Sequence, residues 1–140
     1  MSLQRLLNRM TQEKRSWTFF SEKELNNLTP SCSLKDMNTK FMDRLDLARR
    51  LAGIPFVLNC AYRSTSWDKV HGRSGLSYHC LGRAVDIRCN DSSNRFKMIY
   101  ALLNAGFTSI GVYKRFIHVD DRIQDNRKIW IGDLDDFLEE

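Results

Sequence analysis

Two short stretches of this chain, Ala84–Arg88 and Phe116–Asp120, read as strands that put aliphatic residues on one face and ionisable ones on the other, and nothing else in the sequence constrains the fold as strongly. Successive side chains of a strand point to opposite faces. In the first stretch Val85 and Ile87 therefore point toward a core, while Ala84, Asp86 and Arg88 point away from it. In the second, Ile117 and Val119 share one face, and Phe116, His118 and Asp120 share the other. If the two strands are neighbours, Asp86 and His118 face one another. His79 precedes the first strand, and Gly82 gives the chain the freedom to fold that imidazole back over the same spot. Two imidazoles and one carboxylate are the ligand set of a catalytic zinc, with the fourth position left for water. The plain alternatives stand beside this reading. A lone histidine is more often a surface or hydrogen-bonded residue, and Asp86 between Arg83 and Arg88 is equally readable as ion-paired.

The rest of the chain supplies helices. A short helix is expected over residues 3–15, and Ser21-x-x-Glu24 has the pattern that satisfies free amides at a helix start. Ser33 to Asp36 repeats that signal before a run in which Met37, Phe41, Leu45, Ala48 and Leu51 recur at helical spacing. Gly53 and Pro55 then stop the helix. Phe56 to Cys60 reads as a strand. Arg63 to Leu81, rich in Ser, Gly and charge, reads as a long loop of the kind that carries function. A helix capped by Ser92 or Ser93 holds Phe96, Ile99, Tyr100, Leu102 and Leu103 and ends at Gly106. Two or three strands, over Ser109–Tyr113, Phe116–Asp120 and Lys128–Ile131, complete an α+β fold, a small, mostly antiparallel sheet with helices packed on one face.

At 140 residues with 42% apolar content the chain is expected to be one domain, with a helical extension over 1–18 and an acidic tail over 133–140. No apolar stretch is long enough to cross a bilayer, and the N-terminal leucines, interleaved with Arg, Asn and Gln, lack the apolar centre of a secretory signal. The expectation is a monomer made in the cytoplasm without membrane insertion. The net charge of +5 is scattered and forms no dense basic run, so nucleic acid is a poor candidate partner. The four cysteines form no CxxC pair, which argues against a thiolate zinc finger and for reduced thiols. Cys60 and Cys89 would be the pair if a disulfide existed.

Ser77-x-His79-x-x-Gly82-x-Ala84-x-Asp86 followed by His118-x-Asp120 resembles the zinc D-Ala-D-Ala carboxypeptidases and phage murein endopeptidases. The metal-site fold of that family is shared with the hedgehog signalling domain and with lysostaphin-type enzymes. Ala61-Tyr62-Arg63-Ser64 resembles the family's Gly-Tyr-Arg-Ser segment, and Phe20 to Leu25 its first helix, so the likeness spans roughly residues 19–122. The resemblance implies a Zn2+ held by His79, Asp86 and His118. It also implies a peptidoglycan peptide as substrate, and a phage-encoded protein that reaches the cell wall during lysis or penetration of the host. Arg63 matches the arginine that holds a substrate carboxylate or carbonyl oxygen, though a structural ion pair is its alternative. Ser77 matches a substrate-bonding serine, for which bonding its own backbone is an equally plain reading. Tyr78, Trp67 and Tyr113 are expected to line the groove or pack beside it, and Cys80 to be a bystander.

One position departs from the pattern. Well-known members keep a carboxylate three residues before the last histidine, and here that residue is Arg115, which cannot accept a proton. Alternation makes Asp120 the candidate general base, with Asp121 and His71 behind it. Asp120 is equally placed to steady an imidazole or to pair with Arg122. Without a base, the chain would be a zinc-binding module for cell wall or a protein partner rather than an enzyme.

Overall fold

The computed structural model describes residues 2, 3, 5, 16–122 and 127–132. The acidic tail and all but two residues of the helix expected over 3–15 lie outside these. Helix α1 (Glu22–Asn26) starts where expected, the Ser21 hydroxyl accepting from the Glu24 amide at 3.2 Å. Ser33 opens only a 3-10 turn, Leu34–Asp36, in which its amide donates to Asp36 at 2.9 Å. Helix α2 (Thr39–Ala52) begins instead behind Asn38, whose side chain accepts from the Phe41 amide at 2.9 Å. It ends at Gly53, which takes the left-handed conformation with φ 68°. Met37 thus precedes the helix, and Leu51, in its last turn, stays exposed while Phe41, Met42, Leu45 and Ala48 are buried.

Strand β1 (Leu58–Cys60) is shorter than expected, and the segment read as a loop holds a helix, α3 (Thr65–Val70), capped by Ser64. Six residues of mostly polar character leave no periodicity to read, and only Asp68 in it is buried. A 3-10 turn, Tyr78–Leu81, leads into β2 (Ala84–Arg88). Helix α4 (Ser92–Asn104) is capped one residue earlier than expected, by Asp91 accepting from the Asn94 amide at 2.8 Å. Its buried face is Met98, Ala101 and Leu102, while Phe96 and Tyr100 stack on each other in solvent. Strands β3 (Ser109–Val112), β4 (Phe116–Asp120) and β5 (Lys128–Ile131) follow.

The sheet has the order β1-β2-β4-β3-β5 and is antiparallel except for the parallel edge pair β3 and β5. One face carries Val85, Ile87, Ile110, Ile117 and Val119, each fully buried beneath α2 and α4, with Phe41 and Phe107 packed edge to face at 5.6 Å. Burying a side chain of this size contributes about 1.5–3 kcal/mol, so this layer holds the sheet to its register. That register fixes the other face. Cys60 pairs with Asp86, Asp86 with His118, His118 with Gly111 and Gly111 with Trp130, one row crossing all five strands. A one-residue irregularity between Leu58 and Cys60 brings Cys60, rather than its neighbour, opposite Asp86. No helix among the described residues is long and apolar enough to cross a membrane.

Candidate metal centre

Asp86 and His118 are direct partners on β2 and β4, and His118 Nδ1 lies 3.1 Å from Asp86 Oδ1. His79 reaches the same oxygen from the 3-10 turn, its Nε2 at 3.3 Å. Gly82 makes that turn possible. It has φ 67°, and a Cβ there would sit 2.2 Å from the Asp36 carbonyl oxygen. The close approach locks the turn onto the 34–36 segment, where the Asn38 amide donates to the Gly82 carbonyl at 2.9 Å. The backbone contact therefore aims His79, which is nearly fully buried.

The outer nitrogen of each imidazole has an acceptor. His79 Nδ1 is 2.7 Å from the Ala61 carbonyl oxygen, and His118 Nε2 is 2.7 Å from Asp120 Oδ2. Those acceptors fix the outer nitrogens as N–H donors, which leaves both inner nitrogens aimed at one carboxylate oxygen. Such an arrangement needs a cation in its middle, either protons on both rings or a metal ion. Two neutral imidazoles, each steadied from behind, and a carboxylate suit zinc.

Without a metal the protons take that place. Burial of His79 disfavours its charged form, but the hydrogen bond to Asp86, helped by Cys60, outweighs it and lifts the imidazole from 6.5 to about 9. His118 is raised as well, burial again being outweighed by its bonds to Asp120 and Asp86. Asp86 is held far below the usual carboxylate range: burial pushes it up, and the two imidazoles pull it further down.

A second ligand set overlaps the first. Cys60, His79 and Asp86 place ligand atoms within 4.8 Å of one another. The Cys60 Sγ, however, lies 3.9 Å from His79 Nδ1, the nitrogen already committed to Ala61, and 3.7 Å from an Arg63 guanidinium nitrogen. The thiol flanks the outer side of His79, whereas His118 presents its inner nitrogen to Asp86. Two overlapping sets thus share His79 and Asp86, one completed by His118 and the other by Cys60. All four cysteines are free thiols.

Beside Cys60 lies a buried polar network. Arg63 Nε is 2.8 Å from Asp68 Oδ1, an ion pair whose N–H is not aimed well enough to count as a hydrogen bond. Arg63 also donates to the Ser77 hydroxyl at 3.3 Å. Ser77 and Cys80 in turn donate to the second Asp68 oxygen at 3.3 and 3.2 Å. Asp68 is fully buried and sits below its ordinary pKa, because burial is outweighed by the bonds from Cys80 and Ser77 and the charge of Arg63. Sequence reasoning missed Asp68; the only available signal was an acid in the first turn behind the Ser64 cap.

Asp120, the candidate base, is enclosed by partners. It is fully buried; Oδ1 accepts from the Arg122 amide and guanidinium at 3.1 and 2.7 Å, and Oδ2 from His118 and Arg122 at 2.7 and 2.6 Å. These partners outweigh its burial and hold its carboxyl well below the usual carboxylate range. Its geometry suits steadying His118. The lesser candidates are occupied too: Asp121 pairs with Arg83 at 2.7 Å, and exposed His71 stacks on Trp67 with Nδ1 2.7 Å from the Trp67 carbonyl oxygen. Arg115 is exposed in the β3–β4 turn.

Of the expected aromatics, Tyr78 lies between Arg83 and Arg122, with the guanidinium carbons 5.3 and 4.8 Å from its ring centre. Tyr113 stacks on Phe116 at 4.3 Å. Trp130, which sequence reasoning passed over, has its ring centre 5.5 Å from that of His118.

Comparison with known sequences bears on this centre. The model of one family, described as peptidase M15, matches residues 8–120. No curated protein matches the chain.

Proposed function

The chain belongs to the peptidase M15 family of zinc D-Ala-D-Ala carboxypeptidases, and from that premise we propose that it hydrolyses peptide bonds in the stem or cross-bridge of bacterial peptidoglycan. The observation that carries this reading is the convergence of His79 Nε2 and His118 Nδ1 on Asp86 Oδ1, with each outer nitrogen held by an acceptor. These three side chains would hold the zinc. When bound, zinc polarises a carbonyl and lowers the pKa of its water toward about 7.

The chain's own residues do the remainder. Asp120, clamped by Arg122, fixes the His118 tautomer with Nδ1 free of its proton, and the Ala61 carbonyl does the same for Nε2 of His79. Asp86 and His118 are the ligands that solvent reaches, with side chains 16% and 15% exposed against 4% for His79, so a peptide approaches from their side. Arg63 stands next to Cys60 at the end of the row, with Ser77 beside its guanidinium. In this reading they bind a substrate carboxylate or carbonyl oxygen, and Asp68 holds both in place. Tyr78, between its two guanidinium groups, borders the groove. A phage origin, with release at the cell wall, fits the same substrate.

A second reading has one specific observation in its favour. Arg115 replaces the usual acid and both oxygens of Asp120 are taken, so the attacking water has no evident proton acceptor among the described carboxylates. The chain would then bind zinc and cell-wall peptide without useful hydrolysis.

Digestion of purified muropeptides by the zinc-loaded protein, read by product mass, separates the two. New amine ends from the parent that are absent with His118→Ala support the peptidase; intact muropeptides that remain bound support the module. Product masses also distinguish removal of a terminal residue from internal cleavage.

A further inference from the structure

Trp130 lies ten residues beyond the stretch matched by the family, on the edge strand β5. It is the last member of the row that begins at Cys60 and runs through Asp86, His118 and Gly111. Gly111 has no side chain, and a Cβ there would meet the indole at 2.6 Å. The indole therefore leans across Gly111 toward His118, its plane tilted 49° to the imidazole. Its N–H donates to the Tyr113 hydroxyl at 3.3 Å, which fixes the ring's angle. Trp130 is half-buried, while its strand neighbours Ile129 and Ile131, facing the other way, are exposed. Lys128, two residues back on the same face, carries its ammonium 5.3 Å from the ring centre. Arg122 lies 5.8 Å from it but is committed to Asp120.

A flat apolar surface beside the proposed zinc ligand, with a lysine at its margin, is suited to a peptide segment that places an apolar side chain next to a carboxylate. We propose that Trp130 walls a substrate subsite on the His118 side of the groove. The indole packs against the apolar side chain and Lys128 pairs with the carboxylate. This deepens the peptidase reading and rests on the same groove.

The test uses the zinc-loaded full chain and purified muropeptides. The chain has three tryptophans, Trp17, Trp67 and Trp130, so intrinsic fluorescence reports binding without requiring cleavage. Muropeptide should change the fluorescence of the parent and of Trp67→Phe, and this change should vanish in Trp130→Phe with zinc content unaltered. In kinetics, Trp130→Ala should raise KM by about tenfold while lowering kcat by much less, as expected for loss of one aromatic contact. Gly111→Ala, which displaces the indole but keeps it in the chain, should raise KM similarly. If the parent binds muropeptide through Trp130 but does not cleave it, the peptidase reading fails and this one stands. A fluorescence response that survives Trp130→Phe, or variants that lose zinc or kcat with KM unchanged, would overturn the subsite.

Discussion

His79 and His118 converge on one oxygen from regions built in opposite ways. His79 stands on a 3-10 turn whose position depends on backbone contact: Gly82 against the Asp36 carbonyl, and a main-chain acceptor at Ala61. His118 stands in the middle of a strand, placed by register, and its outer nitrogen is held by side chains, Asp120 and behind it Arg122. The first imidazole is aimed by shape and the second by charge. Mutation can therefore detach His118 from its support one side chain at a time, whereas His79 can be loosened only by deforming the chain.

Removing either imidazole erases the difference and should have the largest effect. His79→Ala and His118→Ala are each expected to abolish stoichiometric zinc in metal analysis and all muropeptide cleavage. Retention of zinc by either would refute the proposed ligand set. Gly82→Ala comes next and strikes the turn alone. Left-handed strain plus the overlap with Asp36 should cost about 2–6 kcal/mol, read as a lowered denaturation midpoint. A wild-type midpoint would mean that the turn is not held by that contact.

pH sharpens the comparison at the protons. With zinc removed by chelator, His79 is raised from 6.5 to about 9. A raised folded-state pKa stabilises fully below the unfolded value and ceases to do so as pH climbs through the folded one. The metal-free protein should accordingly lose stability between pH 6.5 and 9. A zinc bound by His79 would displace the same proton, so its affinity should rise over that window by about tenfold per pH unit for the proton displaced. Thermal melts with and without zinc should diverge as pH rises; parallel curves would show that zinc does not replace the His79 proton. A smaller effect is expected from Asp120→Asn, which keeps the shape and removes the charge behind His118. Zinc affinity should fall by about 10–100-fold with the fold intact, and an unchanged affinity would deny Asp120 its steadying role.

Much of this arrangement was legible because strand alternation is strict. Once Val85, Ile87, Ile117 and Val119 are buried, Asp86 and His118 have only one face left, and a neighbouring register brings them together. What escaped was set by tertiary contact. Helix α3 is too short and polar to show a period, so Asp68 beneath Arg63 was invisible. Asp120 was on the correct face, but alternation says nothing of which partners a carboxylate meets, and Arg122 donates to both of its oxygens. Trp130 needed the parallel pairing of β5 with β3, a long-range contact that no local pattern encodes. The apolar residues of α4 did not show which face is buried: Leu102 is, together with Met98, whereas Phe96 and Tyr100 are exposed.

The smallest expected effect concerns Cys60, which stands opposite Asp86 as directly as His118 does on the other side. Thiolate is a good zinc ligand, so proximity alone would admit it to the centre. Its sulfur, however, lies toward the nitrogen of His79 that Ala61 already occupies, with the Arg63 guanidinium alongside. A zinc held by His79, His118 and Asp86 would not need it. Cys60→Ala should therefore keep stoichiometric zinc and change its affinity by less than the Asp120→Asn substitution does. If Cys60→Ala instead lost the metal while His118→Ala retained it, the third ligand would come from the turn side of the row, and the contrast between the two histidines would be one between a ligand and a bystander.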